Sequence, residues 1–185
     1  MKAPILIGTL PGLKLVEPDV DRDAPLSVGW LNDEGGRATM LAMGNDADSV
    51  NDMLPTSLVI ERQRVKEFIE DRGQLNWMIE YDGVVVGSVW VNMLDAQQLP
   101  APAVHIMIGD PAMRGKGIGY AAIETVMNYL YQQGRRTIYS RHLCSNDAAD
   151  GLLSSLGFTN LDKPYSSGSL QFQNMIRTLQ IHPSS

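Results

Sequence analysis

Hydrophobic and polar residues alternate along several short runs of the chain, and this two-residue period predicts β-strands. The clearest case is 76–94, where two β-rich runs flank Asp82-Gly83, a dipeptide typical of tight hairpin turns. Runs of the same kind predict further strands over 13–19, 102–110, 136–143 and 169–179.

Other segments place hydrophobic residues three or four positions apart, which is the spacing of an amphipathic α-helix. In the segment 120–133 these positions are Ile123, Val126, Met127 and Leu130. Gly134 follows and predicts the end of that helix. The sequence predicts further helices over 19–33, from Thr56 or Ser57 to about 71, and over 146–158. The segment 32–55, rich in Gly, Asn and Asp, is predicted to be irregular.

The order of these elements indicates one mixed α/β (α+β) domain over residues 1–185. Strands come first and a strand–helix–strand–helix–strand run follows, which is typical of a sheet with helices packed on it. We expect a mixed central sheet of about six to seven strands flanked by helices. Residues 1–12, interrupted by Pro4, Gly8 and Pro11, are expected to form an N-terminal extension.

The charge balance narrows the classes of partner. The chain has 21 Asp and Glu against 15 Lys and Arg, a formal net charge of −6. This argues against broad nucleic-acid binding, which requires a basic face, and suits a cationic ligand. Cys144 is the only cysteine, which excludes an intrachain disulfide and a cysteine-based zinc cluster. With no apolar run near the roughly 18 residues of a membrane helix, we expect a cytoplasmic protein without membrane or metal partners.

The segment 111–124, PAMRGKGIGYAAIE, places a glycine-rich loop before a predicted helix. A Walker-type phosphate loop is excluded because Arg114 stands where its second glycine is required and no hydroxyl follows Lys116. A dinucleotide fingerprint would need glycine at Tyr120. The third motif is R-x-x-G-x-G, formed by Arg114, Gly117 and Gly119. Its exposed backbone N–H groups and the dipole of the following helix are suited to binding a diphosphate. The alternative is a strand-to-helix loop that merely requires glycine.

This R-x-x-G-x-G run resembles the pyrophosphate-binding motif of the GNAT superfamily of acyl-CoA-dependent N-acyltransferases. VHIMIGDPAMRGKGIG is similar to the fourth strand and turn of its ribosomal-protein alanine acetyltransferase (Rim-type) branch, and GWLND and NWMIEYDGVVVGSVWV also match that branch. The superfamily's motif B is matched by Asn146, Ala149, Leu156, Gly157 and Phe158.

The resemblance implies a GNAT-like sheet splayed at its fourth strand, with acetyl-CoA as co-substrate and no metal. Pantetheine would lie along the splayed strand and the diphosphate over the glycine loop. The implied cofactor-binding residues are Ile106, Met107, Ile108, Arg114, Gly115, Lys116, Gly117, Ile118, Gly119, Tyr120 and Asn146. Asn146 would orient the pantetheine arm or a water, although it also suits a helix N-cap, and the two roles can coexist. A backbone N–H near Met107 or Ile108 would stabilise the oxyanion.

The family's usual acid and base side chains are missing here. The positions that commonly carry them are occupied by Leu153, Ala149 and Ala103. His105 shares a strand face with position 103 and is the candidate base. If it acts as the base, we expect the acid limb of the pH–rate profile near pH 6.5. The alternative is a structural histidine, and His142 and Tyr165 are weaker candidates.

On the acceptor side, Trp90 and Asn92 are expected to line the pocket. The resemblance places 32–55 beside the acceptor, and the acids Asp46, Asp48 and Asp52 would attract a cationic amine there. The alternative is a solvated loop. The predicted activity is acetyl transfer to a primary amine, a small molecule or a protein N-terminus, by direct attack in a ternary complex. A non-catalytic acyl-CoA-binding module is the alternative, and the protein is expected to be a monomer or homodimer.

Overall fold

A computed structural model describes residues 3–96 and 98–179 as one mixed sheet flanked by helices. The strands are β1 (Leu6–Ile7), β2 (Leu13–Val16), β3 (Gln74–Tyr81), β4 (Val84–Asn92), β5 (Ala103–Ile108), β6 (Thr137–Leu143), β7 (Thr159–Asn160), β8 (Tyr165–Ser167) and β9 (Leu170–Thr178). Their order is β1-β2-β3-β4-β5-β6-β9-β7, with β8 paired to β9. The pair β5–β6 is parallel, and each of the other described pairs is antiparallel.

The described helices lie on both faces of the sheet. They are α1 (Val20–Asn32), α2 (Gly36–Ala42), α3 (Ala47–Met53), α4 (Leu58–Glu70), α5 (Ile118–Gln132) and α6 (Asp147–Ser155), with a 3₁₀ turn at Pro111–Met113. Within the described ranges, no helix is long and apolar enough to cross a membrane.

The hairpin and the main helices form where the patterns predicted them. Asp82 (φ 49°) and Gly83 (φ 81°) are both left-handed, which is the conformation of a tight two-residue turn between β3 and β4. Ser57 caps α4 by accepting from the N–H of Ile60. Gly134 follows α5 with φ 83°, so the predicted helix stop is confirmed.

The core lies between the sheet and α5. The four apolar positions predicted for this helix are all buried, and they pack with Val104 and Ile106 of β5. Burying side chains of this size contributes about 1.5–3 kcal/mol each, which is enough to fix how α5 sits on the sheet. The opposite face is covered by α4, whose Phe68 ring meets Trp90 edge-on with the centroids 6.0 Å apart.

The sheet opens between β5 and β6. The two strands pair only at Ala103 and Tyr139, and Ser140 Oγ donates to the Val104 carbonyl at 2.8 Å. In the described part of the chain no strand pair joins β5 to β6 beyond this point. Since β5 is the fourth of the longer strands, the predicted splay at the fourth strand is confirmed.

Three sequence-based expectations need correction. The sheet has nine strands rather than six or seven, because β1, β7 and β8 have only two or three residues and show no alternation. From residue 3 onwards the predicted N-terminal extension is part of the sheet, because β1 pairs with β2 and the Pro4 carbonyl accepts from Trp77 Nε1 at 2.7 Å. The region 32–55 holds two helices of seven residues each, too short to show an amphipathic repeat.

Candidate functional site

The glycine loop leads from the open edge of β5 into an uncapped helix. Gly115 (φ 71°) and Gly117 (φ 78°) adopt left-handed conformations, which explains glycine at both positions. Gly117 is the N-cap of α5 and makes no side-chain cap hydrogen bond. The N–H groups of Ile118, Gly119 and Tyr120 are in the first turn, where an α-helix supplies no backbone acceptor.

The space over the two left-handed glycines is empty of protein. A Cβ atom added at Gly115 or Gly117 would meet no heavy atom within 4 Å. Helical Gly119 has ordinary room too, since its added Cβ would lie 3.5 Å from Leu152. The side chain of Ile118 is buried in the core, so this residue offers only its N–H to the loop side. The loop therefore presents bare backbone donors beside the exposed Lys116.

Arg114 makes contacts that the motif did not predict. Its Nε and Nη2 donate to the Ile108 carbonyl at 3.1 and 3.0 Å, and Nη2 also donates to Thr39 Oγ1 at 3.0 Å. The guanidinium thus ties the end of β5 to α2. In this geometry Arg114 holds the loop in place rather than extending over the glycines.

The peptide groups of β5 alternate between its two edges. The carbonyls of Val104 and Ile108 are engaged from the open side, by Ser140 and Arg114. Because the N–H and C=O of one residue point to the same edge of a strand, and successive residues point to opposite edges, the N–H groups of Ile106 and Ile108 also face the gap. Met107 presents its N–H to β4 instead. Of the two predicted oxyanion donors, Ile108 is therefore the one whose geometry fits.

His105 lies on the sheet face opposite α5. Its ring stacks on Trp90 with the centroids 5.3 Å apart, and Asn92 Nδ2 lies 3.3 Å from its Nε2. Trp90, Asn92 and His105 therefore do come together. Burial, assisted by the nearby Arg141 charge, lowers the pKa of His105 from 6.5 to about 4. If His105 is the base, this lowered pKa moves the expected acid limb of the pH–rate profile from near pH 6.5 towards pH 4.

Asn146 is the N-cap of α6. Its Oδ1 accepts from the N–H of Ala149 at 3.1 Å, and its Nδ2 donates to the Ala42 carbonyl at 3.2 Å. The amide thus bridges α6 and α2. The cap role is observed, and a contact with the pantetheine arm remains a prediction.

The missing acid and base groups have structural explanations. Leu153 and Ala103 are both buried, at 4% and 1% exposure, so neither position faces solvent. His142 is also buried, and strand alternation directs it away from the face that carries Arg141. Of the weaker candidates only Tyr165 lies at an open surface, since it lines the cleft described next.

A cleft of about 720 Å³ opens between the α2–α3 turn and the β8–β9 hairpin. Asp46 and Asp48 line it, whereas Asp52 does not. Asp46 caps α3 by accepting from the N–H groups of Asp48 and Ser49 and from Ser49 Oγ. These bonds, chiefly the one from the Ser49 backbone, hold the pKa of Asp46 below its usual value.

Sequence reasoning missed Arg141, which lines the same cleft. Its Nη1 donates to Tyr165 Oη at 3.2 Å, and its guanidinium lies 5.1 Å from the centroid of Phe172. The strand register between β5 and β6 shows why Arg141 belongs on this face. Tyr139 pairs with Ala103, so residues 139 and 141 share a face with 103 and 105.

Solved structures with the same fold include several acetyltransferases. The ribosomal L7/L12 α-N-protein acetyltransferase RimL, in complex with coenzyme A, aligns with a TM-score of 0.75 at 17% identity, over 95% of this chain and 98% of its own. The microcin C7 self-immunity acetyltransferase MccE, in complex with acetyl-CoA and AMP, aligns with a TM-score of 0.74 at 14% identity, over 91% and 93%. Spermidine N-acetyltransferase from Vibrio cholerae, in complex with CoA and spermine, aligns with a TM-score of 0.69 at 16% identity, over 92% and 97%.

At these identities the structures establish the fold alone. No curated protein sequence matches the chain. The family model for "Acetyltransferase (GNAT) family" matches residues 48–158, which is more than half of the sequence and includes β5, the glycine loop and α6. The chain therefore belongs to the GNAT acetyltransferase family.

Proposed function

We propose that the protein transfers the acetyl group of acetyl-CoA to a primary amine by direct attack in a ternary complex. The observation that carries this proposal is the continuity of the gap beside β5 with the glycine loop and the uncapped start of α5. A thioester arm and a diphosphate need those two features in that order. Structures of MccE and RimL contain acetyl-CoA and CoA respectively, which supports the same ligand here.

The diphosphate would bind to backbone groups. The N–H groups of residues 117–120 converge at the positive end of α5, and Lys116 adds a charge beside them. Gly115 leaves the approach open. Arg114 serves this site by fixing the loop to the Ile108 carbonyl.

The chemistry then requires few side chains. The amine nitrogen attacks the thioester carbonyl, the oxyanion that forms is stabilised by the Ile108 N–H, and the carbon–sulfur bond breaks. A thiol of pKa about 8.5 leaves as a thiolate without an acid. The amine must also lose a proton, which an α-amino group of pKa about 8 does more readily than a lysine of about 10.4. His105, neutral at physiological pH, faces this region as a weak base.

The acceptor would enter through the cleft on the other face of the sheet. Asp46 and Asp48 would attract it in its ammonium form, consistent with a cationic acceptor. RimL is described as a protein α-N-acetyltransferase and the Vibrio enzyme as acting on spermidine, so both peptide N-termini and polyamines belong in a trial panel. We place the reaction in the cytoplasm, with a monomer or homodimer as the expected state.

A specific observation favours the alternative of a non-catalytic acyl-CoA-binding module. The positions that usually carry the acid and base hold buried Leu153 and Ala103. Such a module would bind acetyl-CoA yet transfer no acetyl group. Positioning alone accelerates the reaction of a reactive thioester greatly, so we favour the enzyme.

The deciding experiment incubates the protein with acetyl-CoA and a panel of amines and detects acetylated products by mass spectrometry. Disulfide reagents that report free CoA are unsuitable, because exposed Cys144 reacts with them as well. Product above the uncatalysed background supports the enzyme. Tight acetyl-CoA binding without product from any amine would favour the module.

Gly119→Ala tests the cofactor site without damage to the fold. The new methyl group has room in the protein and favours the helix, so the free energy of unfolding should stay constant or rise by up to about 1 kcal/mol. We expect acetyl-CoA affinity, measured by calorimetry, to fall about tenfold, or about 1.4 kcal/mol. Gly29→Ala is the matched control, because Gly29 is helical with open space around its added Cβ. Equal affinity in both variants would contradict the diphosphate assignment.

A further inference from the structure

Arg141 is a charged group in the cleft that forms no salt bridge with a carboxylate of the described residues. Among the residues that the structure describes, the salt bridges involve other cations, and the Arg141 side chain donates a hydrogen bond to Tyr165 Oη and lies over the Phe172 ring. A guanidinium has five N–H donors. One hydrogen bond to Tyr165 leaves most of them unused and turned towards an exposed surface.

Arg141 stands at the closed end of the β5–β6 gap. It follows Ser140, whose hydroxyl makes the last tie to β5 at Val104. It shares the sheet face of His105, and its charge contributes to the lowered pKa of that ring. A ligand group bound to Arg141 would therefore lie beside the region where the acceptor amine attacks.

The contacts of Arg141 fix its direction. The Phe172 ring lies beneath the guanidinium, and Tyr165 in turn stacks on Phe172 with the centroids 5.7 Å apart. Both aromatic residues come from the β8–β9 hairpin that forms one wall of the cleft. A guanidinium supported in this way is preorganised for an anion, because less side-chain entropy is lost on binding.

The opposite wall carries negative charge. Asp46 and Asp48 lie there, and the oxygen atoms of Asp46 already accept from the start of α3. A doubly charged phosphate between this wall and a single guanidinium would meet repulsion. A singly charged carboxylate meets less of this repulsion and matches one guanidinium fork.

We propose that Arg141 recognises the acceptor through a carboxylate, so that the acetylated amine belongs to a molecule that carries a carboxylate near its amino group, such as an acidic peptide N-terminus. This rests on the proposed function, because it takes the cleft to be the acceptor site. The ammonium group would face the acidic wall on entry while the carboxylate binds the guanidinium.

The test uses capped dipeptides that differ in one side chain. Calorimetry in the presence of CoA measures the binding of the products N-acetyl-Ala-Asp-amide, N-acetyl-Ala-Asn-amide and N-acetyl-Ala-Lys-amide. We expect the aspartyl product to bind about tenfold more tightly than the asparaginyl one, a difference of about 1.4 kcal/mol. Product binding is measured at pH 7.5, where His105 with its lowered pKa is neutral. A change in the pKa of His105 when Arg141 is replaced therefore does not alter the result.

In Arg141→Gln the aspartyl and asparaginyl products should bind with about equal affinity. In the wild type, 0.5 M salt should weaken the aspartyl preference, because the Arg141 side chain is exposed. Arg135→Gln is the control: Arg135 is also exposed and lies just before β6, at the other end of the strand. The Arg135→Gln variant should keep the aspartyl preference near tenfold. Equal wild-type affinity for the three products, a lysyl preference, or an unchanged ratio in Arg141→Gln would overturn the proposal.

Turnover of the three free amines separates this proposal from the proposed function. An aspartyl binding preference without acetyl transfer to any amine means that the enzyme proposal fails while carboxylate recognition stands. Acetyl transfer without an aspartyl preference means that the enzyme proposal stands and the role of Arg141 is wrong. The two failures are therefore distinguishable.

Discussion

The two sides of the β5–β6 gap are built in different ways. The proposed cofactor side comes from one continuous stretch, from β5 through the glycine loop into α5, and it offers mainly backbone N–H groups. The proposed acceptor-side cleft combines the α2–α3 turn, β6 and the β8–β9 hairpin, which are far apart in sequence, and it offers side chains. A backbone site is therefore encoded locally, whereas a side-chain site depends on the whole fold.

The largest expected effect is on the cofactor side. Gly117→Val places a branched side chain at φ 78° and over the proposed path of the diphosphate. We expect acetyl-CoA affinity to fall by at least about 100-fold, or about 2.7 kcal/mol. The free energy of unfolding should fall by at least about 1–2 kcal/mol, because a left-handed conformation is unfavourable for valine. Calorimetry and urea unfolding measure the two quantities separately.

Gly134→Val is the matched control for that strain. Gly134 has φ 83°, open space around its added Cβ, and a position at the other end of α5. It should lose similar stability and retain wild-type affinity. If both variants bind acetyl-CoA equally well, the local-backbone view of the cofactor side is wrong.

The pH dependence of the unfolding free energy tests the environment of His105 on the proposed acceptor side. Its pKa of about 4 in the folded protein lies below the unfolded value of 6.5. The neutral ring is therefore favoured by folding, and the stability present above pH 6.5 is lost as the pH falls towards 4. The shift corresponds to about 3 kcal/mol. His105→Gln should lack this loss, so the difference in unfolding free energy between the two proteins should change with pH over that window.

Activity gives a second readout for the same residue. If His105 acts as a base, the acid limb of kcat/KM should lie near pH 4 and vanish in His105→Gln, with turnover falling by up to about 100-fold. A limb near pH 6.5 that depends on His105 would contradict the burial seen here. Unchanged turnover would leave the residue with a packing role on Trp90.

The smallest effect is expected from the acidic wall. Asp48→Asn should raise the KM of a cationic amine about two- to threefold at low salt, because exposed charges act weakly and through long-range attraction. The KM of acetyl-CoA should not change. Asp52→Asn is the control, since Asp52 lies on the same short helix but outside the cleft lining. A similar rise in both variants would mean that net charge alone attracts the acceptor.

Much of the cofactor side is determined by the sequence alone. The strand of 102–110, the loop that follows and the helix of 120–133 are contiguous, so periodicity and glycine spacing identify them. Positive φ at Gly115 and Gly117 confirms why glycine is needed there. The direction of Arg114, by contrast, depends on Thr39 of α2, 75 residues away, and no local pattern predicts that bond.

On the acceptor side the tertiary structure decides more. The acids of 46–52 look alike in sequence, yet only the fold places Asp46, which also caps α3, and Asp48 in the cleft lining and leaves Asp52 outside it. Arg141 lines the cleft and contacts a hairpin more than twenty residues later. Sequence patterns report which residues can be buried or helical, because those properties depend on near neighbours. Which side chains meet across the sheet is set by strand order and register, and those are properties of the assembled fold.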